Sequence, residues 1–73
     1  MNASGARIGI VLNGEQRAFA APLSVAGLLD AAGFGGRRVA VEINREIVPK
    51  SQHAIRMLAD ADRVEIVHAL GGG

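Results

Sequence analysis

The sequence contains no cysteine, tryptophan or tyrosine, and its aromatic residues are Phe19 and Phe34. Without a thiol, the chain can form no disulfide, no thiolate metal site and no cysteine nucleophile. Scarce aromatic rings and a formal net charge of +1 also argue against a nucleic-acid surface, which needs clustered positive charge and stacking platforms. We therefore expect no nucleic-acid partner.

Long apolar stretches are missing as well. No run approaches the roughly 20 residues of a membrane span, and residues 1–5 lack the basic start and apolar stretch of a signal peptide. We therefore expect a cytoplasmic protein without a membrane partner. A chain of 73 residues can form one small domain but cannot enclose a deep active site. We expect a protein that is not itself an enzyme.

Several segments show the apolar alternation or the bounding residues of β-strands. The Asn13-Gly14 pair tolerates the two positive φ angles of a type I′ turn and predicts a hairpin. Pro49 has no N–H to donate, so a strand that ends there belongs at a sheet edge. The predicted strands are residues 7–12, 15–20, 39–43, 47–49 and 64–69, the last with Val64 and Ile66 facing inward and Glu65 and Val67 outward.

One amphipathic helix is predicted over residues 25–32, where apolar residues recur at the spacing of a single helical face. Ser24 is a suitable N-cap, and Gly33 lies where a helix-ending residue with positive φ is expected. Residues 51–58 predict one or two further helical turns. In that segment the expected cap is Ser51, and the residues expected to face inward are Ile55 and Leu58.

Residues 44–46 and 60–63 are predicted turns, which gives the order ββαββ-turn-β. This order predicts an α+β roll in which one helix packs on one face of a mixed sheet and the other face is free for a partner. We assign residues 1–69 to this single domain. Residues 70–73 are expected to form a flexible glycine tail.

Catalytic and metal-binding motifs are not recognisable in the sequence. His53 and His68 lack a third ligand of the kind that zinc requires. The glycine-rich segment 33–36 follows a helix, whereas a phosphate-binding loop precedes one. Arg37 and Arg38 are interpreted as solvated charges beside a turn. We expect no catalytic residue, no metal ion and no bound cofactor.

Three consecutive glycines, Gly71 to Gly73, end the sequence. At an average glycine usage of about 7%, such a run at a chosen position has a chance of a few in ten thousand. One alternative is that the glycines are a frayed terminus without function or were added during cloning. A functional interpretation begins with the α-carboxylate, which can attack the α-phosphate of ATP if an enzyme holds the two in line. The resulting acyl adenylate is open to a sulfur or nitrogen nucleophile.

A thin tail is what this chemistry needs. Four extended residues from Leu70 span at most about 14 Å. Because glycine has no Cβ, such a tail can pass through a narrow channel in another protein.

The element order and the glycine end resemble the ThiS family of ubiquitin-like β-grasp proteins, the sulfur carriers of thiamine biosynthesis. The resemblance extends from Ile8 to Gly73. Its most specific parts are residues 41–50 (VEINREIVPK), residues 60–66 (DADRVEI) and the di-glycine end. The family usually has glycine where this chain has Ala61.

The resemblance implies a cycle carried out by partners. An E1-like adenylyltransferase of the ThiF type would activate Gly73 with ATP, which the carrier itself does not bind. Sulfur from cysteine, delivered through a desulfurase, would form a thiocarboxylate, and a thiazole synthase of the ThiG type would consume it. The implied site residues are Gly73 for attachment, Gly71 and Gly72 for the tail, and Val67, Ala69 and Leu70 for partner contacts.

Three other functions remain open from the residues alone. The small subunit of molybdopterin synthase is also a β-grasp sulfur carrier with a Gly-Gly end. A ubiquitin-like modifier would instead join its activated glycine to a lysine. A plain binding domain would have a tail without function.

Overall fold

The computed structural model describes residues 6–69, so residues 1–5 and the predicted tail at 70–73 lie outside the described part. The observed order of elements is the predicted ββαββ-turn-β. The elements are β1 (Arg7–Leu12), β2 (Glu15–Ala20), α1 (Val25–Ala31), β3 (Val39–Ile43), β4 (Glu46–Val48), a 3₁₀ turn (Lys50–Gln52) and β5 (Arg63–His68).

The strands form one mixed five-stranded sheet in the order β2-β1-β5-β3-β4. The central pair β1 and β5 is parallel, and the other three pairs are antiparallel. The last strand therefore has a neighbour on each side. Strand β4 is at an edge as predicted. It runs from Glu46 to Val48 instead of over 47–49, so Pro49 follows the strand and is not part of it. The predicted fold class is confirmed.

Both hairpins use two-residue turns. Asn13 and Gly14 have φ angles of 49° and 84°, as the predicted type I′ turn requires. Asn44 and Arg45 have φ angles of 51° and 73°, so the second hairpin turns in the same way. The three-residue turn predicted over 44–46 is therefore wrong. Glu46 already pairs with Ile43, because a two-residue turn with positive φ angles fits the twist of the strands.

The core lies between the sheet and α1. Alternate residues of the strands point toward the helix, as their period of two predicts. On the helix, Val25, Leu28 and Leu29 share one face and join the same apolar cluster. The other buried members are Ile10, Leu12, Val41, Ile43, Val48, Leu58, Val64 and Ile66.

Helix α1 begins where its first amide groups find acceptors outside the helix. These groups have no partner within a helix and need one elsewhere. The acceptors are Ser24 Oγ for Gly27 N–H at 3.0 Å, the Arg56 carbonyl for Val25 at 2.9 Å and the His53 carbonyl for Ala26 at 2.8 Å. The predicted cap at Ser24 is confirmed, and the loop before β5 completes it.

The carboxyl end of α1 closes with a glycine. The helix ends at Ala31, one residue before the predicted end, and Ala32 is its C-cap. Gly33 has the expected positive φ, 90°. Its neighbour Phe34 donates its N–H to the Leu29 carbonyl at 2.7 Å, which is the pattern of a Schellman motif.

The prediction for residues 51–58 is wrong in two respects. The regular part is a 3₁₀ turn whose N-cap is Pro49 instead of Ser51. Ile55 is 65% exposed, although Leu58 is buried as expected. A longer helix would have used the carbonyls of this segment internally, whereas two of them accept the first amides of α1.

The boundaries of the last strand are shifted by one residue from the prediction. Strand β5 runs from Arg63 to His68. The N–H of Ala69 donates to the Arg38 carbonyl at 3.0 Å. The predicted orientations of Val64, Ile66, Glu65 and Val67 are all observed.

The two serines predicted as caps provide a direct test of this structure. We expect Ser24→Ala to lower the free energy of unfolding by about 1 kcal/mol, because the Gly27 amide loses its acceptor. Ser51→Ala should change it by less than about 0.5 kcal/mol, since Ser51 is an exposed residue that caps nothing. Urea denaturation of both variants measures the difference. Equal effects would contradict the cap assignment.

Candidate functional site

The predicted site residues that the structure describes lie at the end of β5. Val67 is 58% exposed on the face of the sheet that α1 leaves uncovered. Ala69 is half-buried and bonded to the Arg38 carbonyl. Leu70 and residues 71–73 lie outside the described residues. The predicted roles of all these residues, as partner contacts, tail or attachment point, remain predictions.

Val67 belongs to a small apolar patch on the uncovered face. It pairs directly with Ala40 on β3. On the far side of β3, Ile47 of β4 is 72% exposed. We call Ala40, Ile47 and Val67 the outward patch. Ile47 had no predicted site role, although its place beside the inward Val48 on an edge strand marks it as outward.

Charged side chains border the outward patch. Glu42 and Glu65 lie directly opposite each other on the paired strands β3 and β5, an arrangement that destabilises a sheet unless positive charge is near. Arg45 and Arg63 line the same shallow depression as the two carboxylates. An apolar centre with a charged rim is the usual anatomy of a protein interface.

The side chain of Asn13 fixes β5 beside the end of β1. Its Oδ1 accepts the Ile66 N–H at 2.8 Å, and its Nδ2 donates to the Ile66 carbonyl at 3.1 Å. Its backbone N–H donates to the Val64 carbonyl at 2.9 Å. Sequence reasoning assigned Asn13 only to a turn. The amide group in fact continues the ladder past the last residue of β1.

The turn before β5 is bonded to the middle of β1. The Asp60 carboxylate accepts the Gly9 N–H at 2.7 Å, and the Ala61 N–H donates to the Gly9 carbonyl at 2.7 Å. Asp60 therefore substitutes for a strand residue at the point where β5 has not yet begun.

Asp62 connects this turn to the β3–β4 hairpin. One carboxylate oxygen accepts the Ala59 N–H at 2.8 Å, and the other accepts Asn44 Nδ2 at 3.0 Å. The Asn44 side-chain oxygen in turn accepts the Arg63 N–H at 2.9 Å. Asn44 from one of the two most specific sequence segments, and Asp60 and Asp62 from the other, thus connect the start of β5 to its neighbours on both sides.

The structure places no group of three His, Asp or Glu side chains where they could share a metal ion, as far as residues 6–69 are concerned. In the same range, no helix combines the length and apolar character that crossing a membrane would need.

The family model for the ThiS family matches residues 10–73. The chain belongs to the ThiS family. It is similar to a solved structure of a thiamine biosynthesis protein (ThiS) from Geobacter metallireducens, with a TM-score of 0.79 and 29% identity. That similarity covers 90% of this chain and 100% of the other. The predicted resemblance is confirmed.

Two curated relatives of this ThiS-family chain are thiazole synthases. The protein from Paramagnetospirillum magneticum is 50% identical over 64 residues, and the one from Magnetococcus marinus is 39% identical over 64 residues. Each match covers 88% of this chain but 20% of the relative. The chain therefore spans about a fifth of the length of these relatives.

Ala61, where the family resemblance leads us to expect glycine, has a backbone conformation that glycine adopts more readily. Its φ is 74°, in the left-handed region that costs a residue with a Cβ roughly 1–2 kcal/mol. The hydrogen bond to Gly9 holds it there despite that cost.

We expect Ala61→Gly to raise the free energy of unfolding by about 0.5 to 1 kcal/mol. Relief of the left-handed strain exceeds the added flexibility of the unfolded chain, which is about 0.4 to 1 kcal/mol. The matched control is Ala59→Gly, whose φ is not in the positive region. The control should lose stability. Thermal unfolding distinguishes the two, and a loss of stability in both variants would contradict the strain.

Proposed function

We propose that the chain is a sulfur carrier protein of thiamine biosynthesis that bears sulfur as a thiocarboxylate on Gly73. The observation that carries the proposal is the ThiS family match, which includes the glycine end. The ThiS structure from Geobacter metallireducens supports the same function. A chain of this size is too small to enclose a deep active site, so we propose that partner enzymes carry out the chemistry.

The proposed cycle has two steps, the first at a carboxylate oxygen of Gly73 and the second at its carbonyl carbon. A ThiF-type adenylyltransferase lets the carboxylate attack the α-phosphate of ATP, which forms the acyl adenylate and releases pyrophosphate. Hydrosulfide, or an equivalent supplied through a cysteine desulfurase, then attacks that carbonyl carbon. AMP leaves with the former carboxylate oxygen, a proton is released, and a thiocarboxylate remains. ATP is a substrate of the partner and not a cofactor of the carrier.

A ThiG-type thiazole synthase is the proposed acceptor of the sulfur. Support comes from the two thiazole synthases that contain a segment similar to this chain. In these relatives the similar segment is part of a longer polypeptide. Such a linkage suggests that the carrier and the synthase work in contact. We propose the cytoplasm as the location of the protein.

The outward patch is the proposed first contact with these partners. Val67 is two residues from Ala69, at the point where the chain leaves β5 for the glycine end. A partner that binds Val67, Ala69 and Leu70 would therefore receive the tail at a fixed distance from the sheet. Ile47 widens the apolar contact on the β4 side.

The family match favours this function over the alternatives. A molybdopterin synthase subunit or a ubiquitin-like modifier would share the fold. A modifier would leave a glycine remnant on substrate lysines, whereas the carrier would yield free thiocarboxylate. Mass spectrometry of the isolated chain and of total protein separates the two.

Deletion of Gly73 should abolish thiazole formation. The carboxylate would then lie about 3.5 Å short of ATP, and a misplacement of about 1 Å can already cost a hundredfold in rate. Pyrophosphate release with the adenylyltransferase, and the intact mass of the chain after sulfur transfer, measure the loss. The matched control is deletion of Asn2, at the other terminus and outside the family match. Normal activation of the chain that lacks Gly73 would refute the assignment.

Val67→Glu should weaken binding to the adenylyltransferase and to thiazole synthase by about tenfold, which corresponds to about 1.4 kcal/mol. The new carboxylate would lie beside Glu65 in the middle of the contact. The melting temperature should hardly change, since Val67 is exposed.

Ile55→Glu is the control for Val67→Glu. Ile55 is an apolar residue of similar exposure in the loop before β5, away from the outward patch. Calorimetric titration of both variants should show a loss of affinity for Val67→Glu alone. Equal affinities would remove Val67 from the interface.

A further inference from the structure

A cleft lies on the helix side of the sheet, away from the outward patch. It has a volume of about 360 Å³ and is bounded by α1, the segment between α1 and β3, and the 3₁₀ turn. Apolar side chains contribute to its lining through Leu29, Phe34 and Val39. This volume is at the lower end of the range for ligand sites, about 300 to 1,000 Å³.

The rim of the cleft is positively charged. Arg37, Arg38 and Lys50 contribute three positive charges, against the single carboxylate of Asp30. With His53 neutral, the cleft carries a net charge of +2, whereas the whole chain carries +1. The rest of the chain is therefore slightly negative. The net positive charge of the protein therefore comes from the residues of this cleft.

Several contacts hold the walls of the cleft in place. The Ala26 N–H donates to the His53 carbonyl at 2.8 Å and joins α1 to the 3₁₀ turn. The rings of Phe34 and His68 lie 5.9 Å apart, which fixes the segment after α1 against β5. The cleft thus exists before any partner binds, so a partner does not have to order it.

The cleft adjoins the point where the chain leaves the sheet. The Arg38 carbonyl accepts the Ala69 N–H at 3.0 Å, while the Arg38 side chain belongs to the rim. A protein that takes up the glycine end must approach residue 69. It therefore passes close to the guanidinium groups of Arg37 and Arg38.

We propose that the cleft is a second docking site, which receives an acidic segment of thiazole synthase when the glycine end enters that enzyme. The inference rests on the proposed function. The carboxylates of the segment pair with Arg37, Arg38 and Lys50, and arginine can bind such groups with two parallel hydrogen bonds. An apolar side chain of the segment covers Phe34 and Leu29.

A polypeptide fits this cleft better than a small anion does. The three cations are exposed and spaced along the rim, and among residues 6–69 no buried side chain is polar or charged. A small anion would need convergent buried donors to fix its position. A segment of chain can instead contact each exposed cation in turn.

Charge reversal at the rim tests the proposal. Arg38→Glu and Lys50→Glu should each weaken binding of purified thiazole synthase at least tenfold in calorimetric titrations, because a like charge would then face the acidic segment. The wild-type affinity should fall as salt is added, and this salt dependence should be smaller in both variants.

Arg7→Glu is the matched control. It makes the same change of charge at an exposed residue at the opposite end of the sheet. The strand register puts it about ten residues from Ala69 along the strands, or about 30 Å. This variant should bind within about twofold of the wild type. Where a reversal variant does not fold, as judged by its melting curve, Arg38→Gln replaces it and should show the same direction of change.

The outcomes separate the two levels of the proposal. Failure of the wild-type chain to bind thiazole synthase would overturn the proposed function itself. Binding by the wild type with equal affinity of Arg7→Glu, Arg38→Glu and Lys50→Glu would overturn only the docking site. The docking site would also be overturned if the reversals weakened binding to the adenylyltransferase alone. It would likewise be overturned if inorganic phosphate at low millimolar concentration shifted the amide resonances of the rim while the reversals left synthase binding unchanged.

Discussion

The structure depends on one constraint, which is that the last strand of the chain must lie in the middle of the sheet. Strand β5 lies between β1 and β3 and shares ladders with both. Its inward residues Val64 and Ile66 are in the core. Because Ala69 and Leu70 alone separate β5 from the glycine end in the sequence, the part of the protein proposed to react is attached to a central strand.

Side-chain amides and carboxylates enforce this placement where backbone pairing alone stops. Asn13 continues the ladder of β1 along β5, Asp60 bonds to Gly9, and Asp62 joins the turn to Asn44. Hydrogen bonds of this kind each contribute about 0.5–1.5 kcal/mol to stability. Their more specific effect is on register, since a slip by one residue would turn Val67 inward and Ile66 outward.

Local sequence patterns predicted most of the fold because the forces behind them are local. Alternation gave the strands, Ser24 and Gly33 gave the ends of α1, and Asn13-Gly14 gave the first turn. The structure departs from the prediction where a hydrogen-bond partner that is distant in the sequence determines the local conformation. His53 and Arg56 give their carbonyls to α1 instead of forming a helix, and the Asn13 side chain bonds to Ile66, 53 residues away. The cleft could not be predicted from the sequence for the same reason, because Arg37 and Lys50 come together only when the sheet forms.

The positions of the two surfaces suggest how a partner binds and orients the chain. The outward patch and the positively charged cleft lie on opposite sides of the sheet. Val67 of the patch belongs to β5, and Arg38 of the cleft rim accepts the Ala69 N–H through its carbonyl. A partner that contacts only one side would leave the direction of the departing chain poorly defined. Contacts on both sides would fix the β5 end as a rigid base. The carboxylate proposed to react could then be placed by the length of the glycine tail, which is the positioning that in-line attack on a phosphate requires.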